Sequence, residues 1–465
     1  MSMKVSRRQF LQATGGALSV GLLSACVAPG GAPAPSADGG ASAPSAEPGS
    51  LWVILDIDFH DTYNQYTQTA LMDYAAEQGW ELEVADSQGF AAGSGETERL
   101  AAAVQAGDPP DLVRHTLSSQ LLHELDLTLP VSDLVAEVEA VFGAASPYLQ
   151  NTKIYDGEWW SVPYHQRAGG GYYRKDAFDA IGVDLQTVRT YDALAEVCLQ
   201  ASTPELFGWG ITVNRSGDGN SLIQRVKCGW GAGWQDETGQ FINTNTPEMI
   251  AAMNFIKDIY SNEQWKPMLP PGVEAWNDLS NNEAFHAEVI AYTENAGTVY
   301  AKALVDGLPV AEKTAYLAPP GGPVNQEFNT IGSKDWFIMK GAKNVETAKQ
   351  AILAFTADLA KMDAMLESSP AYAVPAYTNL WEMSEYTKSN PMSLQVKPAA
   401  LDASGIEAGS WPGPPSAALT AIENSGIWND MVNAFLTGTP VEEAVATAHD
   451  RMVLVFQEYG LPGTK

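Results

Sequence analysis

From residue 51 onward the hydrophobic positions change period in a regular order. Residues 51–58 are a short apolar run rich in branched side chains and read as a strand. In 62–78, Tyr66, Ala70, Leu71, Tyr74 and Ala75 recur at helical spacing, and Gly79 stops the helix. Residues 80–85 alternate as a strand, 96–105 form an Ala-rich helix, and 111–115 follow Pro109-Pro110 as a third strand. This alternation predicts an α/β fold built on a mostly parallel sheet flanked by helices, with ligand groups at the carboxyl ends of the strands. Later helices carry start signals: Thr246-Pro247-Glu248 opens one reaching about Tyr260, Asn344 is expected to cap another over 345–358, and Thr439-Pro440-Val441-Glu442 combines an N-cap, a proline at the first helical position and a glutamate at the third. Two stretches read as crossings between units rather than interior strands. One is 161–173, which holds Gly169-Gly170-Gly171, and the other is 317–323, with three prolines and two glycines. No repeat of ~20 to 50 residues is visible, which argues against a solenoid or propeller.

The chain of 465 residues is long enough for two or three cores, and its three cysteines exclude a disulfide-built miniprotein. Its net charge of −30, with no basic patch, argues against nucleic acid or anionic lipid as a partner. Lys4, Arg7 and Arg8 precede a moderately apolar stretch over 10–25, the layout of an export signal. Ser6-Arg7-Arg8-Gln9-Phe10-Leu11-Gln12 resembles the twin-arginine signal, and Leu23-Ser24-Ala25-Cys26 resembles a lipobox, whose cysteine is lipidated after cleavage. Residues 1–25 are therefore expected to be a signal, and 26–50 a lipidated Cys26 followed by a flexible tether. The tether is almost entirely Ala, Pro, Gly and Ser, with a typical reach of ~27 Å. An exported protein held at the membrane or cell surface by its lipid alone is the expectation. Cys198 and Cys228 could pair in that compartment or remain buried thiols.

Beyond residue 50, a series of short motifs follows one order. Asp61-Thr62-Tyr63-Asn64 comes after the first strand, Pro109-Pro110-Asp111-Leu112-Val113 leads into the third, and Ser161-Val162-Pro163-Tyr164 precedes Tyr173-Arg174-Lys175-Asp176-Ala177-Phe178. Thr190-Tyr191-Asp192-Ala193-Leu194, Trp209-Gly210-Ile211, Asn281-Asn282-Glu283-Ala284-Phe285-His286 and Lys340-Gly341-Ala342-Lys343-Asn344 follow. Together they resemble the bacterial extracellular solute-binding proteins of ABC importers, the family that includes maltose-binding protein. Arg174 and Trp336 depart from the family's usual residues. The resemblance implies a two-lobed type II periplasmic-binding-protein fold that closes about a hinge, with 51–167 plus 318–370 in one lobe and 168–317 plus 371–465 in the other. It also implies a monomeric carbohydrate carrier that meets the importer's permease subunits.

A sugar needs flat apolar surfaces beside paired donors and acceptors. His60 and Asp61 follow the first strand, and Arg114, His115 and Ser118 lie at or just past the end of the third, which makes them cleft candidates. Gln166 and Arg167 adjoin the three glycines, where the resemblance puts a polar ligand contact. From the other lobe the candidates are Trp230, Tyr292, Glu294 and Asn295. Trp411 stands in Gly409-Ser410-Trp411-Pro412-Gly413-Pro414 and looks like the family's stacking aromatic. Trp336 opens the apolar run 336–339 and reads as core as readily as ligand contact. If both Arg114 and Arg167 faced the ligand, an anionic sugar, uronate or glycerol phosphate would be favoured. No GxSxG, HExxH, Walker or Cys/His metal spacing is present, so no cofactor, metal or enzymatic activity is expected; a glycosidase needs no fixed local spacing and stays as the enzyme alternative.

Overall fold

The computed structural model describes residues 49–59, 61–88, 95–325, 330–402 and 408–465. Strand β1 (Ser50–Ile57) runs into helix α1 (Asp61–Gln78), whose buried Tyr63, Thr67, Leu71 and Ala75 fall four residues apart on one stripe. Strand β2 (Glu81–Gln88) pairs parallel with β1, helix α2 (Glu96–Ala106) crosses back, and β3 (Leu112–His115) pairs parallel with the other edge of β1. The strand and helix pattern of the first sixty or so residues of the globular part is thus recovered, with ends displaced by a few residues. Further along come helix α3 (Ser119–Glu124), the hairpin of β4 (Ile154–Tyr155) and β5 (Glu158–Trp159), the long β6 (Val162–Arg174), helix α4 (Gly217–Gly229), β7 (Tyr292–Asn295), β8 (Thr314–Leu317), β9 (Thr330–Ile338) and helix α5 (Ala417–Ser425).

The main sheet has the order β2-β1-β3-β9-β6-β7, with β8 also pairing β6. It is mixed: the contacts of β1 are parallel, whereas β9 runs antiparallel to β3 and to β6, and β6 antiparallel to β7 and β8. Strand β6 links the halves, since Val162 to Gly169 pair with β9 and Gly170 to Arg174 with β7 and β8.

Residues 162–173 are therefore no loop crossing but part of the strand common to both halves, which corrects the reading of the glycines as a break. None of the three has a positive φ. A Cβ on Gly169 would lie 2.3 Å from Arg225 Nη2, on Gly170 2.5 Å from Tyr316, and on Gly171 2.4 Å from Tyr292. They admit close side-chain approach rather than a turn.

One core gathers Leu51, Val53, Tyr63, Leu112, Tyr164 and Trp336 on one side of the molecule, and it continues past residue 370 to Tyr377 and Leu380. That extension follows from residues 371–380 folding back on β6, where Val374 and Gln166 exchange backbone hydrogen bonds of 2.9 and 3.0 Å. A second core joins Tyr191, Trp209, Trp234 and Tyr292 to the C-terminal helices, and a third packs Tyr172, Tyr316 and Trp381 beside β6. Cys198 is buried in the second core and Cys228 lies apart against Ala408; both are free thiols, so of the two alternatives it is the buried thiols that the structure shows. Among the described residues no helix is long and apolar enough to cross a membrane. His60 and the whole segment 1–48, including Cys26, lie outside the described residues.

Candidate ligand-binding cleft

Between the halves opens a cleft of about 510 Å³, within the size range of small-molecule sites. One wall comes from the ends of β1 and β3 and the start of α2, with Asp58, Glu96, His115 and Ser118. The opposite wall comes from α4, the end of β7 and the loop before α5, with Asp218, Gln224, Arg225, Asn295 and Ser410. Arg167 and Gly169 of β6 and Tyr372 complete the lining where the halves meet. At one side the walls touch, Ala417 N donating to Glu124 of α3 at 3.4 Å.

Behind the first wall lies a buried ionic bed. Arg114 Nε donates to Asp56 Oδ1 at 3.0 Å, its Nη1 to Thr67 Oγ1 at 2.6 Å and its Nη2 to the Asp56 carbonyl at 2.7 Å. The Lys334 ammonium pairs with both Asp56 and Asp58, the latter at 2.5 Å. The Tyr372 hydroxyl donates to Asp58 Oδ2 at 2.5 Å and accepts from Arg167 Nη1 at 2.9 Å. Burial opposes ionisation of Asp58, but the Lys334 charge and hydrogen bonds from Lys334 and Tyr372 outweigh it and hold the carboxyl below the usual range. His165 is the converse case: burial, and then the Lys334 charge, push it down to about 3, so it is a neutral partner for the Tyr63 hydroxyl at 2.8 Å.

The second wall uses its own pair. Arg225 Nη1 donates to Glu294 Oε2 at 2.7 Å and its Nε to Thr330 Oγ1 at 3.1 Å, while Glu294 Oε1 accepts from the Tyr191 hydroxyl at 2.6 Å. At the start of α4, the backbone N–H groups of Gly217 and Asp218 donate to the Asp278 carboxylate at 3.0 and 2.8 Å, and Asp218 Oδ2 accepts from Asn281 at 2.8 Å. Burial, and next the neighbouring Asp278 charge, push Asp218 up to about 8, so near neutrality its carboxyl can donate a hydrogen bond as well as accept one. At the other end of α4, the Lys227 ammonium donates to the Trp411 carbonyl at 3.1 Å, and Gln235 Nε2 donates to the Ser410 and Pro414 carbonyls at 2.8 Å each, seating the 408–414 loop.

The positions selected from sequence divide accordingly. His115, Ser118, Arg167 and Asn295 lie on the cleft wall. Part of their polar capacity is already used: Ser118 Oγ caps α3 through Leu121 N at 3.2 Å, and Asn295 Oδ1 accepts from Gly297 N at 2.9 Å. Arg114, Gln166 and Glu294 are buried behind the wall as supports, Gln166 bridging Ser146 Oγ at 2.7 Å and the Ala400 carbonyl at 2.9 Å. Asp61 is exposed in the first turn of α1, off the cleft lining.

None of the four aromatics chosen for stacking lines the cleft. Trp336 is core between Tyr164 and Phe355, with ring centroids 5.5 and 6.2 Å away, because its position on β9 turns it onto the first core. Tyr292 packs on Trp209 at 6.2 Å and Trp230 on Phe255 at 4.7 Å. Trp411 lies against Cys228 and Lys227 because its loop is pulled down onto the end of α4. Asp58, Tyr372, Asp218 and Arg225 were missed. A start signal for α4 was available in Ser216-Gly217-Asp218, where Ser216 Oγ accepts from Gly219 N at 3.0 Å.

The model of the bacterial extracellular solute-binding protein family matches residues 63–358. The arabinooligosaccharide-binding protein of Halalkalibacterium halodurans is 29% identical over 229 residues, 47% of this chain and 50% of that one, so the match spans half the length of that relative. Maltose-bound MalE3 of T. maritima superposes with a TM-score of 0.71 at 18% identity, covering 87% of this chain and 99% of that one. A laminaribiose-bound sugar transporter protein of Arthrobacter chlorophenolicus gives 0.71 at 14% over 87% and 98%. A mannitol-bound solute-binding protein of Agrobacterium vitis gives 0.71 at 18% over 89% and 99%. With its mixed sheet, its two halves joined by β6 and a cleft between them, the chain belongs to the bacterial extracellular solute-binding protein family.

Proposed function

We propose that this protein captures a neutral mono- or oligosaccharide in the cleft and, by closure of its two halves, delivers it to the permease of an ABC importer. The observation that carries the reading is the cleft itself, about 510 Å³, with polar groups on both walls whose buried charges are neutralised from within by Lys334 and Glu294. An uncharged polyol is held by such fixed donors and acceptors without stranding a charge. Contact with both halves also gives the ligand the differential affinity for the closed form that closure requires. Relatives that bind arabinooligosaccharide, maltose, laminaribiose and mannitol support the reading. An anionic ligand is disfavoured, because Arg114 is off the cleft and Arg167 reaches Asp58 through Tyr372. The role is binding rather than glycoside hydrolysis, as a monomer with lobes divided near β6.

Thermal melting against a saccharide panel tests this. A bound sugar raises the melting temperature by stabilising the folded state by RT ln(1 + [L]/Kd), and no shift with any saccharide would overturn it. We propose further that Cys26 carries a lipid anchor and 27–50 its tether, on the Leu23-Ser24-Ala25-Cys26 string. Cys26→Ser would then move the exported protein from the membrane to the soluble fraction, and wild type found soluble would refute the anchor.

A further inference from the structure

A sugar face needs a flat apolar surface, and the described residues of the cleft interior offer little. Of the aromatics among the described residues that line it, Tyr148, Tyr372 and Trp428 are buried, and Phe59 and Tyr155 keep substantial surface. Tyr155 does not stand alone. Its ring lies 6.3 Å from that of His123 at an interplanar angle of 12°, and His123 lies 3.9 Å from Trp160. All three are half-buried, and His123 and Trp160 are beyond the cleft lining.

The arrangement is held rigidly. Tyr155 ends β4 and Trp160 follows β5, joined by the two-residue turn Asp156-Gly157, whose φ angles of 54° and 81° are those of a type I′ hairpin. Trp160 Nε1 donates to the Tyr155 carbonyl at 2.9 Å, Trp160 N to the Lys153 carbonyl at 3.1 Å, and the Tyr155 hydroxyl to the Thr152 carbonyl at 2.5 Å. Lys153 is in turn tied to buried Asp335 at 2.8 Å. His123 Nε2 lies 3.2 Å from Asp156 Oδ2, whose side chain is 83% exposed and available to a hydroxyl at the edge of the stack.

We infer that Tyr155, His123 and Trp160 form an accessory carbohydrate subsite at the cleft mouth, where the sugar units of an oligosaccharide stack after its first units fill the cleft. The inference rests on the carbohydrate reading above and extends it from a sugar to a chain that runs out of the cleft. The Tyr155 and Trp160 rings, already fixed by hydrogen bonds to backbone carbonyls, lose little freedom on binding, and Tyr155 belongs to both surfaces, so cleft and mouth are continuous.

Titration calorimetry with arabino-, laminari- and maltooligosaccharides of two to five units tests it. For the series that binds, affinity should rise with length, and Trp160→Ala should lower it for the longest chains by about tenfold, the scale of one aromatic contact, while leaving the disaccharide unchanged. Should Trp160→Ala fail to fold, His123→Ala gives the same test. Affinity that does not rise with length, or long-chain affinity unchanged in the folded variants, overturns the subsite alone. Wild type that binds no saccharide overturns the carbohydrate reading and the subsite with it.

Discussion

Lys334 and Lys227 are both fully buried, one behind each wall of the cleft, yet their surroundings differ. Lys334 sits between Asp56 and Asp58, with Arg114 on the far side of Asp56. Lys227 has no carboxylate partner among the described residues: it meets the Trp411 carbonyl at 3.1 Å, the Cys228 sulfur at 3.6 Å, and the rings of Trp234 and Trp411 at 5.3 and 5.8 Å. The first lysine lies between two buried carboxylates, one of which, Asp58, lines the cleft. The second holds a loop, and a carbonyl dipole and two π faces are weak compensation for burying an ammonium. Burial accordingly lowers the pKa of Lys227, only partly opposed by Cys228.

The largest effect should come from Lys334→Met, which leaves buried Asp58 without its ion-pair partner and buried Asp56 with Arg114 alone. Removing one partner of a buried ion pair costs about 3 to 5 kcal/mol, readable by urea denaturation at pH 7. A loss below about 1 kcal/mol would mean that Arg114 and Tyr372 suffice without the lysine. The folded-state pKa values of Asp56 and Asp58 are lowered, so their stabilising contribution is present above the ordinary carboxylate value and lost as pH falls below about 4. The gap in melting temperature between wild type and Lys334→Met should therefore narrow on acidification. A gap independent of pH would contradict the ionic account.

Asp218 gives an intermediate effect, read on binding. With its carboxyl pushed up to about 8 by burial and Asp278, it is mostly protonated near neutrality. If that proton donates to a ligand hydroxyl, affinity should fall as pH rises through this value, by about threefold to tenfold for one hydrogen bond. Asp218→Asn, which keeps a donor without titrating, should flatten the profile. An identical slope in both proteins would assign the pH dependence elsewhere.

How much of this was legible in the sequence differs between the two sides as well. The first wall follows a local rule, strand then helix then strand, and the strand-end principle led to His115 and Ser118 on the cleft wall. It also led to Arg114, one residue away, where strand alternation turns the side chain to the other face and onto Asp56. The second wall is assembled from the start of α4, the end of β7 and the loop before α5, segments nearly two hundred residues apart, and no local period joins them. Its aromatics were misplaced for the same reason: the surroundings of Trp230, Tyr292 and Trp411 are decided by tertiary packing that spacing does not encode. The glycines of β6 illustrate the limit most sharply. Three in a row signal a break locally, but here they make room for Arg225, Tyr316 and Tyr292.

Lys227→Met should give the smallest effect, and of opposite sign. Because the lysine is buried without an acid among the described residues, a flexible apolar chain in its place removes an unfavourable charge while leaving one carbonyl of Trp411 without its donor, and the two nearly cancel. Stability at pH 7 should shift by no more than about 1 kcal/mol, towards greater stability. The sign of the pH dependence separates this from ordinary repacking. Since the folded-state pKa of Lys227 is lowered, wild type carries the full penalty below that value and sheds it as pH rises towards the unfolded value of about 10.4. The advantage of Lys227→Met should then be greatest near neutrality and fade by about pH 10. Chemical denaturation of both proteins between those pH values measures it. A loss of several kcal/mol would show instead that Lys227 is as firmly compensated as Lys334, and the contrast between the two walls would fall.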